Sequence, residues 1–147
     1  GKGLMTVQDL DAIHASLQLQ IELGGGQIDA IYHCSDMADD SPNRKPQCGM
    51  AYQAQEAFPD IDFSKCIMVG NRLSDMGFAR NAGMFSVFLA TTHPEIEFPH
   101  PNIDYRFNSL IEFEAKAYGF VVGVIVAIAV VHKSINWIFQ KGKKAKD

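Results

Sequence analysis

The sequence predicts an α/β fold built on a parallel sheet. Three observations carry that reading. Short apolar, β-branched stretches alternate along the chain with longer stretches of helical periodicity. Polar loops follow the strand-like stretches, as in Ser35 to Pro46 and at Asn71-Arg72. No internal repeat or low-complexity segment interrupts the alternation over residues 1–113.

The elements follow in order. Thr6 is a helix N-cap candidate, with Asp9 three residues on as its capping-box partner. Leu10, Ile13, Leu17 and Ile21 recur at helical spacing, and Gly24-Gly25-Gly26 stops the helix. His14 lies within it and reads as a partly buried or surface histidine. Ile28 to Cys34 is a strand, and Ser35 to Pro46, with Asp36, Asp39, Asp40, Pro42 and Asn43, is a loop. Gly49 to Phe58 is a helix ended by Pro59, and Phe63 to Val69 contains the next strand. Leu73 to Ala82 is a helix closed by Gly83. Met84 to Ala90 is a third strand, Thr91 to Asn102 a proline-rich loop, and Tyr105-Arg106-Phe107 a short last strand. Leu110 to Lys116 begins another helix.

Composition bounds the function. A chain of 147 residues holds one domain with a real core, and 47% hydrophobic with 20% charged residues is ordinary for a globular protein. A net charge of -4 argues against nucleic acid as the main partner. Three cysteines at irregular spacing make no disulfide framework, which points to a reducing, cytoplasmic compartment. No secretory signal precedes the first helix, and the chain starts at Gly1 rather than Met, as a fragment or processed product would.

The chemistry gathers around Cys66 to Met76. Cys66 to Val69 is a buried strand that runs through Gly70 into a loop carrying Asn71, with Asp75 beyond it. Open α/β sheets bind ligands at the carboxyl ends of their strands. Oxygen donors for a hard cation, with the cations Arg44 and Lys45 upstream, suit a phosphoryl group. Two blander readings stand beside this one: Arg44-Lys45 as a solvated loop pair, and Asp75 as a first-turn acid complementing the helix dipole.

Arg44-Lys45-Pro46 with Gly49-Met50, followed by Met68-Val69-Gly70-Asn71 and Ser74-Asp75-Met76, resembles the haloacid dehalogenase (HAD) phosphatases. The nearest branch is the heptose-1,7-bisphosphate 7-phosphatase and histidinol-phosphatase group, over residues 1–113. The resemblance implies a HAD-like (Rossmannoid) three-layer sandwich with a parallel sheet and a phosphorylated small molecule as partner. Lys45 would stabilise the transferred phosphoryl group, Arg44 would recognise substrate, and Asn71 and Asp75 would bind Mg2+. The family commonly has Asp where Asn71 stands, so magnesium binding is expected to be weak or lost.

Two expected motifs are not found. The family nucleophile is the first Asp of an Asp-x-Asp after an apolar strand. Here Asp60-Ile61-Asp62 has that spacing but follows Phe58-Pro59 in a loop. The Ser or Thr ending the family's second strand is also missing. The chain is therefore expected to lack two N-terminal strands that lie mid-sheet, and to be inactive by itself. The branch's structural zinc loop, Cys-x-His followed by Cys-x-Cys, falls here on Cys34, Asp36, Ser41 and Asn43. Only Cys34 is retained, and His33 beside it makes two ligands, not four, so no zinc is expected. Cys48 and Cys66 read as ordinary thiols.

The division expected is a partial phosphatase domain over 1–114 and an apolar segment with a basic tail over 115–147. Ala117 to Val131 is uncharged and apolar. Ile135 to Phe139 resumes the run after Lys133, and Lys141, Lys143, Lys144 and Lys146 follow. An apolar C-terminal helix is expected, with membrane contact through 117–139. A buried strand or helix covering the bared sheet, and a non-native extension, compete with it. The function read is a Mg-dependent HAD phosphatase acting on a heptose bisphosphate or histidinol phosphate. The alternative is an inactive, membrane-associated binding or regulatory remnant.

Overall fold

The computed structural model describes residue 3, residues 5–117 and the backbone of three later strands. Helix α1 (Val7–Leu23) opens on the expected cap: the Thr6 hydroxyl accepts the Asp9 N–H at 3.1 Å, and the Thr6 N–H donates to the Asp9 carboxylate at 2.9 Å. None of its residues is fully buried. The half-buried stripe runs through Leu10, His14, Leu17 and Ile21, while Ile13 is exposed.

Strand β1 (Ala30–Tyr32) is shorter than the expected Ile28 to Cys34. Helix α2 (Gly49–Ala57) ends before Pro59. A single 3-10 turn, Phe63–Lys65, then leads into β2 (Cys66–Gly70). Asp62 caps that turn, accepting the Ser64 N–H at 3.1 Å and the Ser64 hydroxyl at 2.6 Å. Helix α3 (Leu73–Ala82) stops at Gly83, whose φ of 77° is a left-handed conformation that glycine adopts without strain. Strands β3 (Phe85–Leu89) and β4 (Tyr105–Phe107) and helix α4 (Leu110–Ala117) complete this part.

Strand β2 pairs in parallel with β3, and β3 in parallel with β4, so each crossover must carry a helix or a long loop. Successive side chains of β2 point to opposite faces. Cys66 and Met68 pack with Met50, Ala51 and Ala54 of α2 and with Phe78 and Ala79 of α3. Val69 packs on the other face with Val87, Phe107 and Phe113 of α4. Helices therefore cover both faces of a parallel sheet. Met68, Met76 and Phe88 are almost wholly buried, each stabilising the fold by about 1.5–3 kcal/mol.

The expected apolar C-terminal helix is corrected. Val126–Ala129 (β5) is a strand paired in parallel with β2, with Met68 opposite Ile128. Asn136–Ile138 (β6) pairs antiparallel with β1, and Gln140–Lys141 (β7) antiparallel with β5. An apolar run of this length has no periodicity that separates helix from strand. The free edges of β1 and β2 decide it, because unpaired backbone groups at a sheet edge need partners. No helix among the described residues is long and apolar enough to cross a membrane. The remainder of the stretch considered for membrane contact, 118–125, 130–135 and 139, lies outside the described residues.

Candidate functional site at the carboxyl end of β2

Gly70 ends β2, and the chain turns at once into α3. Asp75 lies in the first turn of that helix and is wholly buried. One carboxylate oxygen, Oδ2, accepts the backbone N–H of Asn71 and of Arg72, both at 3.2 Å. The turn fits only because residue 70 is glycine: a Cβ there would lie 2.5 Å from the Asp75 Cβ and 2.6 Å from Oδ2. The carboxylate thus closes the β2–α3 turn and satisfies the free N–H groups of a helix start.

The other oxygen, Oδ1, meets the Lys45 ammonium at 2.5 Å. Among the described residues Lys45 is its sole partner. The Lys45 side chain is 13% exposed, so a small part of it faces solvent. Burial pushes this lysine below its ordinary pKa range; the Asp75 carboxylate pulls the other way, and the neighbouring Arg72 adds to the lowering. Pro46 docks the Lys45 loop on α3. A Cβ at Gly77 would stand 2.9 Å from the Pro46 Cβ, and the Asn81 amide donates to the Pro46 carbonyl at 3.0 Å.

Arg44 points the other way. Its guanidinium donates to the carbonyls of Asp36 at 3.1 Å and Met37 at 3.2 Å and pairs with Asp39 at 3.1 Å. Within the same loop the Ser41 hydroxyl donates to the Asp36 carboxylate. Asn43 accepts from the Gln53 amide at 3.1 Å. Lys45 and Asp75 are brought together, Asn71 stands beside them, and Arg44 is held by its own loop.

The resemblance implies magnesium at Asn71 and Asp75. That ion needs near-octahedral oxygen ligands and keeps several waters. Asp75 is wholly buried, with both oxygens engaged, and the Asn71 amide oxygen is neutral. Among the described residues no three His, Cys, Asp or Glu side chains gather to hold a metal. These residues by themselves do not fit a direct magnesium site. The arrangement is a buried acid that fixes a cation at a strand end, with Arg72 exposed beside it. Sequence reasoning did not single out Arg72, Gly77 or Asn81; Pro46 beside Lys45 was the signal that the loop had to dock somewhere.

The HAD-hydrolase-like family model matches residues 42–112. A D-glycero-D-manno-heptose-1,7-bisphosphate 7-phosphatase of Thermosynechococcus vestitus is 31% identical over 98 residues, covering 58% of this chain and 50% of that protein. A D-glycero-alpha-D-manno-heptose-1,7-bisphosphate 7-phosphatase of Mycobacterium bovis is 32% identical over 114 residues, 77% of this chain and 60% of that protein. The histidine biosynthesis bifunctional protein HisB of Xanthomonas campestris is 37% identical over 79 residues, 52% of this chain and 20% of that protein. The chain spans about half the length of the heptose-bisphosphate phosphatases it matches. The matched residues hold Lys45, Asn71 and Asp75, and over them the chain is similar to part of a HAD-like hydrolase domain.

Proposed function

We propose that residues 1–114 carry the phosphate-binding part of a HAD-type phosphomonoester hydrolase, with a heptose bisphosphate or histidinol phosphate as substrate class. The observation that carries the reading is the Lys45–Asp75 pair at the carboxyl end of β2. A cation fixed at a strand end in a site shielded from water acts strongly on a developing phosphoryl charge. Asp75 positions Lys45, and Arg72 adds positive potential at the mouth. The names of the heptose-1,7-bisphosphate 7-phosphatases supply the first substrate class, and the family resemblance supplies histidinol phosphate. The setting proposed is cytoplasmic.

One observation favours a second reading, in which these 147 residues bind the anion without turning it over. The β5 strand on the free side of β2 reads Val126-Ala127-Ile128-Ala129, with no carboxylate to act as nucleophile. Asp62, of the Asp60-Ile61-Asp62 triplet, caps the turn before β2, and the other Asp-x-Asp, Asp9-Leu10-Asp11, lies within α1.

Orthophosphate binding, followed by amide NMR shifts around Gly70 to Asp75, tests the common part. The doubly neutral K45M/D75N variant keeps an oxygen for the Asn71 and Arg72 N–H groups and leaves no unpaired charge. Wild type is expected to bind at least about tenfold more tightly than this variant, roughly 1.4 kcal/mol. Equal binding sinks the proposal. Release of phosphate from a phosphomonoester by the wild-type chain, lost in K45M/D75N, selects the enzyme over the binding module.

A further inference from the structure

The four positions where the resemblance places zinc ligands are all otherwise engaged. Cys34 packs against the core cluster of α2, β2 and α3. Asp36 takes the Ser41 hydroxyl. Ser41 is 8% exposed, and a hydroxyl so buried needs that acceptor. Asn43 accepts from Gln53. Zinc requires four nitrogen or sulfur-rich ligands converging on one point, and this donor set does not supply them.

The loop is nonetheless closed. Ser41 N–H donates to the Ala38 carbonyl at 3.2 Å, and Arg44 N–H to the Ser41 carbonyl at 3.0 Å. The Arg44 guanidinium reaches back across the loop to Asp36, Met37 and Asp39. Gly49 N–H holds the Pro42 carbonyl at 2.8 Å, tying the loop to the start of α2. A Cβ at Gly49 would lie 2.5 Å from that carbonyl oxygen, so the approach requires glycine.

We infer that the Ser41–Asp36 hydrogen bond and the Arg44 guanidinium close this loop in place of a metal ion, making Ser41 a positioning residue for Lys45. Lys45 follows Ser41 by four residues, so the clamp sets where the ammonium can meet Asp75. Arg44 is thereby a loop staple rather than a free substrate contact. The effect on anion binding rests on the phosphate role proposed for Lys45; the closure of the loop does not.

The full chain is tested by amide exchange over residues 36–47 and by orthophosphate titration. Exchange in wild type is expected to be unchanged by a chelator or by one equivalent of zinc chloride. Stoichiometric zinc that slows exchange there overturns the inference without any variant. Ser41→Ala is expected to speed exchange by up to about tenfold, the worth of one hydrogen bond, and to weaken orthophosphate binding. Ser41→Thr, which keeps the hydroxyl, is expected to restore both. Unchanged exchange in Ser41→Ala also overturns it. If exchange responds as expected while wild type binds no orthophosphate, the loop closure stands and the proposed function falls.

Discussion

Asp75 joins two duties that the sequence shows only separately: it caps the β2–α3 turn and pairs with Lys45. Removing one partner of a buried ion pair leaves a charge without compensation. Lys45→Ala is therefore expected to lower unfolding free energy by about 3–5 kcal/mol, read from urea titration, and K45M/D75N by clearly less. Gly70→Ala should cost about 1–3 kcal/mol by pushing the added methyl into Asp75. The pH dependence has a definite sign. Burial lowers the Lys45 pKa in the folded chain, so its contribution to stability is complete above the unfolded lysine value and is lost as pH falls through the lowered one. Stability of wild type relative to K45M/D75N should then rise with pH in the alkaline window below about 10.4. Orthophosphate affinity should fall over the same window as the ammonium is lost.

At the scale of elements, α1 and α3 differ in what holds them. Helix α3 buries Met76, Phe78 and Ala79, whereas α1 buries no residue fully and leans on its cap and a half-buried stripe. Thr6→Ala should cost about 1 kcal/mol and speed exchange in α1 well before β2 responds. The stripe includes His14, whose ring lies 5.7 Å from that of His33. Its Nε2 is buried without a partner among the described residues. Burial first, then His33, lowers the His14 pKa. A lowered folded pKa means stability present above about 6.5 and lost as pH falls through the folded value. Acidification from neutral pH should loosen α1, and His14→Leu should remove that dependence, with exchange in α1 as the readout. The capping signals at Thr6 and Gly83 were legible because each acts within a few residues of itself. The exposure of Ile13 was not, because only the packing surface chooses which residues of a helical turn face inward.

At the scale of the whole molecule, the sheet is continuous on the free side of β2 because β5 lies there. Ending the chain after Ala117 would leave the backbone groups of Cys66–Gly70 unpaired on one side. Each buried unpaired group costs on the order of 1–3 kcal/mol, against a domain stability of roughly 5–15 kcal/mol. The truncated chain is expected to melt at lower temperature and to lose exchange protection at Cys66 to Val69. An unchanged transition would mean that β5 adds nothing to the core.

The sequence by itself determined the alternation of strands and helices from residue 6 to residue 117, the caps of α1 and α3, and the two motifs at Arg44-Lys45 and Asn71 to Asp75. All of these are written in local periodicity, turn residues and spacing. Tertiary structure alone decided that Lys45 meets Asp75 across thirty residues while Arg44 turns back onto its own loop. It alone made Val126–Ala129 a strand rather than the expected helix. Ion-pair choice depends on which groups share a buried space, and an apolar run takes the form that an open sheet edge can bond; neither condition is present in the local sequence.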